Sequence, residues 1–414
     1  MQLGVPERTS NTYKVRWRGM GEIMRWTNLS IRVVSCLFLI SVCSAQRGGQ
    51  VAAYTYPDHD PAVRAAEAES VLHPFWASQS MDREPVMFVA QEAGSAPTAT
   101  LLFPPDGIMS VTNGDGSVTF KQGIDYIWKP GSRTLNLTPN SNIPFMPKAD
   151  LYPPINSNGS YGRTVNGKSG LFFDPSGHKF QSLQMNVTYD HSAPWTGYIP
   201  PSTGGQLSHT MAALRNRKRL NIVVLGDSIS VGACASDFFH GPPFQPPYVG
   251  LVLEGLQVEY GDNLINLINL SVGGKLSSWG VEQATVAAAD HPDLVLLAFG
   301  MNDASGDLSG KEYAANIRAI INTIKKSNPN AEFILVATMT ANPHWSNAHQ
   351  NAYTDYEKAL QGMTGPGIAL ADVTAIWRNI LEGKKFSDLT GNGINHPNDF
   401  GYRVYAQVIL SLLK

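Results

Sequence analysis

Beyond residue 216, short apolar runs alternate with stretches of helical period. The runs are Asn221 to Leu225, Leu267 to Leu270, Leu294 to Ala298, Phe333 to Ala337 and Ile368 to Ala371. Between the third and the fourth, Ile317, Ile320, Ile321 and Ile324 recur at i, i+3, i+4 and i+7, which places them on one face of a helix. Runs that are apolar without alternation suit strands buried on both faces, and the interleaved helices supply the cover. The pattern therefore predicts an α/β fold with a five-stranded parallel sheet sandwiched by helices. Ligands of such sheets bind outside the C-terminal ends of the strands. Tyr405, Val408, Ile409 and Leu412 repeat the helical spacing and predict a packed last helix from Phe400 to Leu413, with Asp399 as its cap.

Earlier in the chain the rhythm is that of strands and turns. Ile108 to Thr112, the turn Asn113-Gly114-Asp115-Gly116, and Ser117 to Phe120 read as a hairpin. Leu183, Met185, Val187 and Tyr189 alternate with polar residues, so one face meets a core. These signals predict a β-rich accessory domain over 86–193, of sandwich type. Residues 194–215, rich in Pro, Gly, Ser and Thr up to Leu207, read as a linker. Residues 46–85 read as a connector, in which Ala62 to Glu69 is either a short helix or plain linker.

Composition narrows the class. With 31 basic and 33 acidic side chains among 414 residues, the net charge of -2 argues against an electrostatic nucleic-acid binder. Three cysteines occur, Cys36, Cys43 and Cys234. The first two lie in the apolar run Val33 to Cys43, which follows Arg25 and Arg32 and ends in Ser44-Ala45. Eleven residues rising ~1.5 Å each fall short of ~30 Å of hydrocarbon, so a stable membrane span is not expected. The run has the parts of a secretory signal over 1–45 with cleavage after Ala45, and the expected location is secreted or periplasmic. The polar stretch ahead of it is long for a signal, and Met24 would be a more ordinary start. Cys234 is then the one cysteine left.

The first apolar run leads directly into Gly226-Asp227-Ser228-Ile229-Ser230-Val231-Gly232. Ser228 would sit on a sharp strand-to-helix turn at the sheet's C-terminal edge, although the same tripeptide serves equally as a turn and helix cap. The glycines have neither the phosphate-loop nor the dinucleotide spacing. Further polar signals follow the next strands: Asn269-Leu270-Ser271-Val272-Gly273-Gly274, then Gly300-Met301-Asn302-Asp303, and finally Asn395-His396-Pro397 before the last helix. In this order and number, the blocks resemble those of the SGNH/GDSL hydrolase superfamily over residues 221 to 414; the expected export, the separate β domain and the overall architecture are similar to its exported carbohydrate-esterase-like members. The resemblance implies the flavodoxin-like SGNH fold for 216–414. It implies Ser228 as nucleophile and His396 as general base. The Ser228 N–H, the Gly274 N–H and the Asn302 carboxamide would be the oxyanion donors. Chemistry accounts for these residue types: serine needs an imidazole to take its proton, and ester attack creates an anion that preset donors stabilise.

One position departs from the family. An aspartate three residues before the histidine normally orients the ring, but that place is held by Gly393. Asp388, eight residues before His396, is the favoured substitute; Asn392, a main-chain carbonyl, or a Ser-His dyad without an orienting group are the alternatives. His344 and His349 lack the helical spacing and acidic partner of a metal pair, so neither metal nor cofactor is expected. Lys275, Trp279 and the proline- and phenylalanine-rich segment Phe238 to Tyr248 either border the substrate or are ordinary loops. Cys234 is expected as a buried, inert thiol on the helix after Ser228. The resemblance implies an exported serine esterase, most specifically one that deacetylates a carbohydrate. A lipid or lysophospholipid esterase and a non-catalytic glycan-binding protein are the competing readings.

Overall fold

The five apolar runs form one parallel sheet: Leu220–Gly226 (β1), Ile265–Asn269 (β2), Leu294–Ala298 (β3), Glu332–Ala337 (β4) and Ile368–Asp372 (β5). The computed structural model describes residues 61–203, 205–261 and 264–414. The strand order is β2-β1-β3-β4-β5, and all four pairings are parallel. Every residue of β3 and β4 is buried, so both faces of the sheet are covered. Helices Ser277–Ala289 and Gly310–Ser327 pack on each other, and the isoleucine stripe at 317, 320, 321 and 324 is buried in the second. Tyr248–Tyr260 and Asp399–Ser411 form another group, joined by Pro61–Leu72. Part of the expected connector is thus a helix of the α/β layer. In this strand order the chain turns back beside β1, and the loops leaving β1 and β3 open together at the switch point where such sheets hold ligands.

Before the parallel sheet come the predicted strands. Ser80–Met87, Gln184–Asp190, Gly107–Asn113 and Thr119–Phe120 make a four-stranded antiparallel sheet in that order. The hairpin is present, with Val111 opposite Phe120, and Met185, Val187 and Tyr189 are buried as their alternation requires. A second, five-stranded sheet runs Tyr126–Trp128, Thr134–Leu137, Thr98–Thr100, Val89–Ala90, Met146–Pro147. Ser160–Tyr161 and Leu171–Phe172 form a separate small ribbon.

The expected partition into an accessory domain over 86–193, a linker over 194–215 and a catalytic domain over 216–414 differs from the architecture found. One hydrophobic cluster runs from Val86 and Val187 through Leu225 and Leu297 to Trp377, within a compact unit covering Tyr56–Lys414. The linker is part of it. Residues Ser208–Arg215 are a helix whose first amides, His209 N–H and Thr210 N–H, donate to the buried Glu332 carboxylate at 3.0 and 2.8 Å. A carboxylate there satisfies free helix donors and favours the positive end of the helix. Trp195 stacks edge-on against Phe75 with ring centroids 5.1 Å apart. Its turn-rich composition hid these anchors.

A buried ion pair also joins the two segments. Lys384 Nζ lies 2.6 Å from Glu84 Oε1, with both side chains essentially inaccessible, and donates to the carbonyls of Pro85 and Thr100. Among the described residues no helix is long and apolar enough to cross a membrane. The expected signal sequence over 1–45, with its cleavage point after Ala45, lies outside the described residues.

Candidate active site

Ser228 begins a one-turn helix, Ser228–Val231, just past the end of β1. Asp227 caps that turn by accepting from Ile229 N–H at 3.0 Å, so the tripeptide does act as a helix cap as well as presenting the serine. Gly226 is required: a Cβ there would lie 2.3 Å from Ser230 Oγ and 2.7 Å from Ala298 O of β3. Burial, followed by the charge of Asp303, raises the Asp227 carboxyl to about 7.

His396 reaches this serine from the far end of the chain. Its Nε2 is 2.8 Å from Ser228 Oγ, a hydrogen bond across 168 residues. Burial lowers the imidazole to about 4, so the ring is neutral at neutral pH. Gly273, in the loop after β2, faces the serine at ordinary contact range, since a Cβ on it would be 3.7 Å from Ser228 Cβ. Gly274 is exposed, with φ of +75°. Asn302 follows β3 on the short helix Met301–Ser305, and its Nδ2 donates to Lys275 O at 3.1 Å. The carboxamide is thereby held one residue from Gly274. Ser228, Gly274, Asn302 and His396 thus stand on four segments at one end of the sheet, with His396 on Ser228 and Asn302 tied to the loop that carries Gly274.

Asp388 is not brought to the histidine. Its Oδ1 accepts from Met87 N–H at 2.8 Å and its Oδ2 from Lys385 N–H at 3.1 Å, with Lys384 Nζ 3.5 Å from Oδ2. The carboxylate is spent on fastening strand Ser80–Met87 to the turn Phe386–Leu389. No carboxylate touches His396 among the described residues.

The histidine loop is instead built on Thr390 and Asn392. Thr390 Oγ1 donates to His396 O at 2.9 Å and accepts from Gly393 N–H at 2.9 Å. Asn392 Oδ1 accepts from the main-chain amides of Ile394, Asn395 and His396 at 2.9, 3.0 and 3.1 Å. Its Nδ2 donates to Asn395 Oδ1 at 3.0 Å and lies 3.1 Å from His396 Nδ1. Cys234 Sγ stands 3.7 Å from the same ring nitrogen. Cys234 is therefore not on a helix: it occupies a turn with φ of +72°, and burial pushes its thiol well up.

Gly393, where the family pattern has an aspartate, adopts φ of +87°, and a Cβ on it would lie 2.3 Å from Phe172 O and 2.9 Å from Phe180. The β-rich segment has taken the space that an aspartate side chain would need. The Asn342 side chain donates to Gly393 O at 2.8 Å and so ties the neighbouring loop to this one.

The remaining candidates are ordinary. His349 Nδ1 is 3.2 Å from Asp307, the His344 ring packs edge-on against Tyr152, and no group of three or more metal-ligating side chains occurs among the described residues. Lys275 Nζ sits 5.7 Å from the centre of the Trp279 ring, beside the glycine loop. Asp399 does not cap the last helix: Asn398 does, accepting from Gly401 N–H, while Asp399 accepts from Ser236 N–H at 2.8 Å. Two adjacent polar residues at a helix start look alike in sequence, and only the fold shows which one turns inward.

The model of the GDSL-like Lipase/Acylhydrolase family matches residues 224–404, which hold all four converging loops. This segment belongs to that family. Among curated proteins, the chain resembles an arylesterase of Vibrio mimicus, with 26% identity over 135 residues, 32% of this chain and 62% of the relative. The match thus spans less than two thirds of that relative's length. Solved structures similar to it include an acetylxylan esterase from Geobacillus stearothermophilus, at 18% identity and a TM-score of 0.38, covering 47% of this chain and 94% of that one. Another is a two-domain esterase active on acetylated mannans, at 21% identity and a TM-score of 0.38, covering 50% of this chain and 52% of that one.

Proposed function

We propose that the protein is an exported serine esterase that hydrolyses short-chain carboxylic esters through an acyl-enzyme, with an O-acetylated carbohydrate as substrate. The observation that carries the reading is the 2.8 Å contact between Ser228 Oγ and His396 Nε2 in a segment of the GDSL-like family. Ser228 Oγ attacks the ester carbonyl while Nε2 takes its proton. The Gly274 N–H and the Asn302 carboxamide lie on the two loops that flank the serine, where the carbonyl oxygen becomes an anion. Nε2 then protonates the departing alcohol, and water, deprotonated by the same nitrogen, releases the acid and frees Ser228.

Two features support a short acyl group on a bulky alcohol. Gly273 and Gly274 are exposed and carry no side chain, which leaves the mouth of the site open on that side. The expected export and an architecture that resembles carbohydrate-active members of the family support an acetylated carbohydrate. The expected signal sequence supports export. The glycan-binding alternative is favoured by one observation, the lack of a carboxylate at His396 Nδ1 among the described residues.

Release of p-nitrophenol from p-nitrophenyl acetate, and of acetate from an O-acetylated polysaccharide, tests the proposal. Wild type should exceed Ser228→Ala by at least a hundredfold on both; equal rates would leave only the binding reading. Faster turnover of long-chain than of acetyl esters would favour a lipid substrate.

A further inference from the structure

The orientation of the Asn392 side chain is determined by its neighbours. Three main-chain N–H groups, of Ile394, Asn395 and His396, point at Oδ1 at 2.9 to 3.1 Å. Turning the amide over would set its NH₂ against all three. Asn395 Oδ1, at 3.0 Å from Nδ2, follows that choice and takes one of the two Nδ2 hydrogens. An amide nitrogen donates and has no lone pair to offer. The Nδ2 hydrogen that Asn395 leaves free points at His396 Nδ1, 3.1 Å away, and Nδ1 must accept it. A neutral imidazole whose Nδ1 accepts carries its proton on Nε2, and that proton faces Ser228 Oγ.

We propose that Asn392 is a positioning residue that holds His396 in the Nε2–H tautomer, so that the resting Ser228–His396 pair is set in the reverse of the form needed for general-base catalysis. This rests on the esterase reading above. For attack to occur, the ring must first lose its Nε2 proton to solvent and gain one at Nδ1; Nε2 can then take the serine proton. In that form the Nδ1–H meets another donor at Asn392 Nδ2, and the acceptor left to it is the Cys234 sulfur at 3.7 Å, a weak one. Turnover therefore draws on a minority tautomer. The restriction has a structural origin: Phe172 and Phe180 exclude a side chain at Gly393, and Asp388 is committed to Met87 and Lys385.

Asn392→Asp tests this with a nearly isosteric change. One carboxylate oxygen keeps the three main-chain donors, and the other accepts from Nδ1–H; Asn395 can turn its amide over to donate to it. The expected result is a rise in kcat for p-nitrophenyl acetate of at least tenfold, bounded by the ~10⁴ that the opposite change costs in a serine protease triad. An unchanged or lower kcat in a variant with the wild-type melting temperature would overturn the proposal. Where the variant does not fold, the wild type decides: ¹⁵N shifts of its histidine rings, assigned by comparison with His396→Gln, should report His396 as Nε2–H, and an Nδ1–H ring would overturn it. If neither wild type nor Asn392→Asp exceeds Ser228→Ala, the esterase reading falls, while the ring shifts still decide the tautomer.

Discussion

At the scale of single residues, Gly393 and His396 show how one departure is transmitted. Restoring the family's aspartate as Gly393→Asp puts a Cβ against Phe172 O at φ of +87°. The expected outcome is a loss of stability of about 2 kcal/mol or more, read from urea unfolding, with no gain in turnover. His396 sets the pH response. The serine needs a neutral ring, and burial holds the folded value near 4 rather than 6.5, so kcat/KM should stay level from neutral pH downward and fall by half only near pH 4. Stability follows with the same sign. Between pH 6.5 and 4 the unfolded ring takes a proton that the folded one refuses, so this contribution, full above 6.5, is lost as pH falls. A kcat/KM profile falling by half near pH 6.5 would contradict the burial of the ring. Ser228 and His396, which the fold brings to 2.8 Å, were legible as a pair because each stands in a short block that ends a strand or opens a helix. The orienting group was not, because the competing acid, Asp388, looks available in the chain and is revealed as engaged only by the fold, through Met87, some three hundred positions away.

At the scale of elements, the parallel strands were readable to within two residues because apolar runs such as Leu294 to Ala298 have no other stable place than a covered sheet. Helix Ser208–Arg215 was hidden because it buries just Thr210, Met211 and Leu214 and draws its stability from the distant Glu332. A comparable long-range device is the buried pair of Lys384 and Glu84. Glu84 Oε1 also accepts from Leu102 N–H, and its Oε2 from Tyr189 OH, so the carboxylate is fully engaged. Removing the cation alone by Lys384→Met leaves that charge buried without its partner. The variant should lose about 3–5 kcal/mol of stability in denaturant unfolding, and a loss under 1 kcal/mol would show that the pair does not hold the two segments together.

For the whole molecule, the β-rich segment is a part of the active-site wall. Its Leu171–Phe172 strand sits against Gly393, and Gln184 Nε2 donates to Ser387 O and Thr390 O at the base of the histidine loop. Calorimetry of the whole chain should accordingly show one unfolding transition carrying both segments; two separated transitions would mean that they fold apart. The convergence of four loops at one sheet end makes a stronger claim, which covalent trapping tests most directly. Diethyl p-nitrophenyl phosphate offers a phosphorus that Ser228 Oγ can attack, forming the O–P bond as p-nitrophenolate leaves. The account predicts one equivalent of p-nitrophenolate and, by peptide mass spectrometry, a diethylphosphoryl group on Ser228, with neither in Ser228→Ala. A label on another residue, or an unmodified Ser228 in folded wild-type protein, would contradict it.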